Sequence, residues 1–180
     1  MTTNCIIYEG VFDPPHINHY LLLSSAMKKY DADAIVVVAN DKAARQLSHK
    51  PTATSWETRL WWATDAFASL ARYSPVDIVT PSSERIFTID ILVDIIALSP
   101  EYKKYANWYY LMGPDRNIKE YKDHFKIEAL TKPIQMRIGD GSIRSTVIRN
   151  NIKNNKPITG MLAPGLDERS IQEHFKKMSI

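Results

Sequence analysis

Short apolar runs alternate with longer segments in which apolar residues recur at helical spacing, and the alternation holds along the whole chain. CIIY (5–8) reads as a buried strand, and the segment from His16 to about Tyr30 as a helix. AIVVVAN (34–40) is apolar on both faces and rich in β-branched residues, the pattern of a strand covered on both sides of its sheet. Thr54-Ser55-Trp56-Glu57 has capping-box spacing from Thr54 to Glu57 and opens an amphipathic helix running to about Tyr73. VDIVTP (76–81) predicts a third strand, and Ile89 to Leu98 the next helix. WYYLMG (108–113) and PIQMRIG (133–139) predict two further strands. Ser145 to about Asn155 and Asp167 to Lys177 predict the last helices.

Strands separated by helices need crossover connections, which make the strands parallel and place helices on both faces of one sheet. The expected fold is α/β: a doubly wound parallel sheet of about five strands. It forms a single domain over residues 1–180, with a helical closing segment from about 143 to 180. In such sheets a ligand lies beyond the carboxyl ends of the strands. Four polar clusters fall at such ends: EGVFDPPHINH, NDKAARQLSHK, GPDRN and GDGSIRSTVIR. Their common position predicts one composite site.

Composition narrows the partners. A hydrophobic fraction of 44% and a charged fraction of 24% suit a soluble globular domain. The net charge of +3 comes from 23 basic and 20 acidic residues interspersed along the chain, so nothing calls for nucleic acid. The lone cysteine, Cys5, excludes an internal disulfide and fits a reducing compartment, with cytoplasm expected. The most apolar later run, IFTIDILVDIIAL, is broken by Asp90 and Asp94 and is too short to span a membrane. MTTNC lacks the basic and apolar regions of a secretory signal.

His16 and His19 stand three apart at a helix start and share a face. Unpaired backbone N–H groups and the positive end of the helix dipole favour an anion there, and two imidazoles can donate to it. Gly10 suits a tight turn out of the strand, and Pro14-Pro15 stiffen the approach to the helix. A phosphate site is the physical reading. A purely structural pair stays open, and so does a metal pair, although His-x-x-His supplies only two ligands.

The wider pattern carries a resemblance. GVFDPPHINH (10–19) resembles the GTFDPxHxGH motif of the nucleotidylyltransferases, and SIRSTVIR (142–149) resembles their second signature, close to ISSTxIR. Between them SHK (48–50) is similar to the end of a PPHK element, FTIDIL (87–92) to YTxDTL, and GPD (113–115) to a GxD turn. KPITGMLAPGLDERSIQEH (156–174) is similar to the family's closing segment. Nearly the whole chain is covered in order, and the nearest match is to the nicotinate and nicotinamide mononucleotide adenylyltransferases.

The resemblance implies a Rossmann-like domain that transfers the adenylyl group of ATP to a pyridine mononucleotide without a covalent intermediate. His16 and His19 would be catalytic, donating to phosphate oxygens. ATP would be bound by Gly10, Val11, Phe12, Asn18, Asp115, Ser145, Thr146 and Arg149. The mononucleotide would meet Lys50, Thr88 and Tyr121. Mg²⁺ would be held through the ATP phosphates, with no protein residue as its ligand. Asp13 reads as site architecture, and an exposed aromatic helix face would suit a homo-oligomer.

Several positions depart from the family pattern. Glu9 and Asn18 stand where glycines are usual, Val11 where a hydroxyl is usual, and Arg144 where a serine is usual. Glu9 brings negative charge towards a polyphosphate, and Asn18 a side chain where adenine approaches bare backbone. The pyridine-stacking tryptophan is missing at its usual spacing, with Tyr121 the nearest substitute. Two other readings therefore stand beside the first. One is a nucleotidylyltransferase with another acceptor, such as phosphopantetheine or a sugar or alcohol phosphate. The other is a catalytically weak nucleotide-binding homologue. The terminal KKMSI echoes the KMSK loop of class I aminoacyl-tRNA synthetases by chance. Trp56, Trp61, Trp62 and Trp108 suit core packing or a subunit contact better than base stacking.

Overall fold

The structure, a computed structural model, describes residues 3–47, 54–82, 88–118 and 130–178. Five strands, β1 (Asn4–Gly10), β2 (Ala32–Val38), β3 (Val76–Val79), β4 (Asn107–Met112) and β5 (Lys132–Gln135), form one sheet in the order β3-β2-β1-β4-β5. Every pairing is parallel. All of β2 is buried: Ala34 to Val38 are apolar, as a strand covered on both faces requires, and the buried Asp33 accepts from the Tyr105 hydroxyl at 2.7 Å.

Alternation along each strand sends side chains to two separate cores. Ile6 and Tyr8 of β1 join Ala34, Val36 and Val38 of β2 beneath α1 (Ile17–Tyr30) and α3 (Trp56–Phe67). Cys5, Ile7, Ile35 and Val37 point the other way, to Leu92 of α4 (Thr88–Val93), Ile95, Tyr102, Tyr105 and Trp108. The sheet is doubly wound and Rossmann-like, as the sequence pattern predicts. A third cluster, Ile148, Ile152, Ile158, Ile171 and Phe175 with Trp62 against it, fastens α5 (Ser145–Lys153) and α6 (Glu168–Met178) to α3. Of the other tryptophans, Trp108 is buried and Trp61 exposed. Among the described residues no helix is long and apolar enough to cross a membrane.

The sequence expectations differ from the structure in five places, the first being that the helix expected to reach Tyr73 is α3 to Phe67 followed by a 3-10 stretch, Ala68–Arg72. Residues read only as a polar cluster after β2 begin with a short helix, α2 (Asp41–Leu47), whose first turn is capped by Asn40 Oδ1 accepting from the Ala43 N–H at 2.7 Å. Ser55, not Thr54, caps α3, its Oγ accepting from the Thr58 N–H at 3.4 Å. Thr54 is buried instead, its hydroxyl 3.2 Å from His174 Nε2, so tertiary packing chose between two adjacent candidate caps. The helix expected over 89–98 is α4 followed by one π-helical stretch, Asp94–Leu98. β5 stops at Gln135 because its partner β4 stops at Met112, and the Gln135 side chain then donates to the Gly113 and Arg116 carbonyls at 3.2 and 2.6 Å.

β1 lies between β2 and β4, and the chain order reverses there. The crevice beyond the carboxyl ends of β1 and β4 is the switch point, where an open α/β sheet takes its ligand.

Candidate functional site

The turn after β1 is shaped by packing. A Cβ on Gly10 would lie 2.6 Å from the Phe12 ring, so this glycine makes room for the ring. Phe12 has φ +53 and its ring is buried edge-on against Tyr8, Phe67 and His19, at centroid distances of 5.6, 5.6 and 5.0 Å. The ring is core; only the main chain of Phe12 is left to meet a ligand. The Val11 carbonyl accepts from Arg59 Nη1 at 2.9 Å.

His16 is the N-cap of α1, with extended backbone at φ −124 and ψ 170. Its ring stacks on that of His19, with centroids 3.6 Å apart and planes 21° apart. The His16 N–H donates to His19 Nδ1 at 3.1 Å, the return arm of a capping box made by a histidine. With Nδ1 accepting, the neutral His19 ring carries its proton on Nε2, which becomes the donor to anything in front of the helix. One histidine thus serves both the structural and the chemical reading of the motif.

The open amides expected at the start of α1 are partly used. The Ile17 N–H donates to Met161 O at 2.9 Å, and His16 bridges to Leu162, so the closing segment lies across this helix end. The N-terminus of α5 is different: its N-cap, Arg144, is extended and gives no side-chain cap. Amides of its first turn are the better-placed anion donors.

α5 is stitched directly to the first motif. Ser145 Oγ donates to Pro14 O at 2.9 Å. Arg149 Nη1 donates to the Asp13 main-chain carbonyl and lies 3.7 Å from Asp13 Oδ2, while Nη2 donates to Thr146 Oγ1 at 3.4 Å. The Asp13 carboxylate is only 3% exposed and makes no hydrogen bond among the described residues, so Arg149 is its close countercharge. Asn18 Nδ2 donates to the Asp140 and Ile143 carbonyls at 2.6 and 3.1 Å. Gly139, at φ +82, has no room for a side chain: a Cβ there would fall 2.1 Å from Asn18 Oδ1. The amide of Asn18 is therefore folded onto the 140–143 turn.

At the switch point the two faces differ. On the α1 face, burial raises the pKa of the Tyr8 phenol, and the charge of Asp115, exposed beyond β4, raises it further. On the other face Glu9 Oε2 accepts from the Tyr110 hydroxyl at 2.9 Å, a bond that spans β1 and β4. Glu9 thus stands on the face opposite the histidines.

Of the residues singled out by sequence, the structure ties Gly10, Phe12, His19 and His16 to one another through ring packing, and Asn18, Ser145 and Arg149, with Thr146, through bonds that join the first motif to residues 140–149; Val11 is bonded to Arg59, and the charge of Asp115 acts on Tyr8. Lys50 and Tyr121 lie outside the described residues, and Thr88 is described only as the first residue of α4. Sequence reasoning missed Arg59. Fully buried, it donates to the carbonyls of Thr54, Val11 and Ala39 and to Asp41 Oδ1, at 3.2, 2.9, 2.7 and 2.8 Å. Its signal was there: Arg59 falls in register with Ala63, Ala66 and Phe67, a cation within the apolar stripe of α3.

Comparison with known proteins supplies the family and the fold. A Fervidobacterium nodosum protein named probable nicotinate-nucleotide adenylyltransferase is 28% identical over 157 residues, which is 84% of this chain and 70% of that protein. A Fusobacterium nucleatum protein of the same name is 24% identical over 181 residues, 87% of this chain and 91% of its own. Among solved structures, a Vibrio parahaemolyticus protein assigned provisionally as a nicotinate-nucleotide adenylyltransferase superposes with a TM-score of 0.66 at 17% identity. That superposition covers 98% of this chain and 99% of the other, and it establishes the shared fold. A cytidylyltransferase-like family model matches residues 7–151, a span that carries both the histidine motif and the start of α5, and the chain is accordingly a nucleotidylyltransferase of the cytidylyltransferase-like family.

Proposed function

We propose that this protein transfers the adenylyl group of Mg·ATP to a pyridine mononucleotide, nicotinate or nicotinamide, and releases pyrophosphate. The observation that carries the reading is the junction of α1 and α5: Ser145 and Arg149 bond the main chain of Asp13-Pro14, two residues from His16. The N-terminus of α5, two imidazoles and one guanidinium would then meet a triphosphate held at this junction. The names of the relatives supply the acceptor class.

An oxygen of the acceptor phosphate attacks the α-phosphorus as the bond to the β-phosphate breaks, and the charge leaves with pyrophosphate. His19 Nε2 and the His16 ring donate to the α- and β-phosphate oxygens. The first-turn amides of α5, with Ser145 and Thr146, hold the β- and γ-phosphates, and Arg149 supplies a cation whose position Asp13 holds. Mg²⁺ arrives as part of the nucleotide substrate and offsets the phosphate charge. Such a site works by alignment and preorganised charge, which suits the rigid ties between the two motifs.

Pyrophosphate release from Mg·ATP, followed separately with nicotinate and nicotinamide mononucleotide, tests the reaction. A wider panel including phosphopantetheine tests the other acceptor classes. His16→Ala should lower turnover by about 10²- to 10⁴-fold while the fold survives. An unchanged rate would remove the histidines from the chemistry.

A further inference from the structure

At the end of β1 two consecutive peptides have their carbonyls taken. Gly10 O accepts from the Ala39 N–H at 3.0 Å, and Val11 O from Arg59 Nη1 at 2.9 Å. Both donors stand on the β2 side: Ala39 follows the last residue of β2, and Arg59 Nη1 also donates to Ala39 O at 2.7 Å. A trans peptide is planar, with its N–H directed opposite its C=O, and both of these peptides are trans. The Val11 N–H therefore points away from β2, towards β4, and the Phe12 N–H points away from Arg59. β4 has no ladder partner to offer there. Ile7 pairs with Tyr110, so the same register carried on sets Val11 level with Pro114, beyond the last residue of β4, Met112. Neither N–H has an acceptor among the described residues. The Val11 N–H thus looks into the gap past β4, which is the switch point of the sheet.

The two peptides are held by different means. Main chain fixes the first, through Ala39; the second is held by one side chain, Arg59. That side chain is itself immobile, because Thr54 O and Asp41 Oδ1 take its Nε and Nη2 at 3.2 and 2.8 Å. Adjacent main-chain N–H groups at a turn suit an anion. We propose that Arg59 is a positioning residue for the nucleotide: by holding the Val11 carbonyl it aims the Phe12 N–H, beside that of Val11, at the phosphate chain. Arg59 is buried and acts only through this peptide. The role rests on the adenylyl-transfer reading, in which the nucleotide is Mg·ATP.

The test measures kcat and both KM values in wild type, Arg59→Lys and Tyr105→Phe. Arg59→Lys keeps a cation and loses the planar fork that reaches Val11 O, Thr54 O and Asp41 together. Tyr105→Phe is the control for stability alone: it orphans the buried Asp33 carboxylate at the amino end of β2, the opposite end of the sheet from the switch point. Arg59→Lys should raise the KM for Mg·ATP about tenfold or more, with kcat less affected and the acceptor's KM within about twofold, because the lost contact serves ground and transition states alike. Tyr105→Phe should melt earlier and leave both KM values in place. NMR of wild type needs no variant to fold: the amide signals of Val11 and Phe12 should shift when Mg·ATP is added without acceptor. Unmoved signals overturn the inference and leave the proposed reaction standing, as does an ATP KM in Arg59→Lys within about twofold of wild type. If wild type binds Mg·ATP but releases pyrophosphate with neither mononucleotide, the proposed reaction is what fails. The Kd for Mg·ATP in Arg59→Lys then replaces KM, and a value within about twofold of wild type overturns the role of Arg59 as well.

Discussion

Arg59 is where the cradle is most exposed to a single substitution. Its guanidinium has no solvent exposure and ties three segments: the turn after β1 through Val11 O, the end of β2 through Ala39 O, and the approach to α3 through Thr54 O. Asp41, at the start of α2, accepts the remaining bond and is 32% exposed. Arg59→Met keeps most of the apolar stem and leaves three main-chain carbonyls without their donor. Breaking a buried charged contact from one side costs about 3–5 kcal/mol, in line with about 1–3 kcal/mol for each orphaned buried group after partial relaxation. For a chain of this size about 2–4 °C of Tm accompanies each kcal/mol, so melting should fall by about 6–20 °C. Asp41→Asn leaves an acceptor in place at a partly solvated position and keeps the three carbonyls on Arg59, so it should cost less than Arg59→Met. Urea unfolding of the two variants and wild type, with unchanged m-values, gives both numbers. A loss below about 1 kcal/mol in Arg59→Met would refute the reasoning. Equal losses in the two variants would place the energy in the ion pair and not in the carbonyls.

Two further perturbations follow from the geometry. Gly10→Ala forces its methyl against the Phe12 ring, which Tyr8, Phe67 and His19 hem in; about 1–3 kcal/mol of stability should go, together with turnover, because His19 packs against the same ring. Wild-type stability and rates in this variant would show that the ring can move aside. The pKa of His174 lies below its ordinary 6.5, mainly because burial penalises the cation, with Asp13 opposing the shift and Lys177 adding to it. The unfolded chain then binds the proton first, so the stability from this group is whole above pH 6.5 and is lost as pH falls below it. The urea midpoint should drop more steeply from about pH 7.5 to 5.5 in wild type than in His174→Asn, and parallel slopes would contradict this.

The sheet and its two layers of helices were legible in the residue pattern, because a parallel strand covered on both faces must be apolar throughout and AIVVVAN is. The strand ends were legible as a candidate ligand site for a related reason: polar residues gathered there in four separate segments. Contacts between segments distant in the chain were not. Nothing local says that Asn18 will fold onto residues 140–143 and require Gly139 opposite, or that Met161 will take the Ile17 amide and leave α5 as the better anion end. Nor does the sequence say that the Tyr110 hydroxyl will bond Glu9 across β1 and β4. Periodicity reports which side chains are inside; hydrogen bonds and charges act between particular atoms, and only the folded chain brings those atoms within reach of one another.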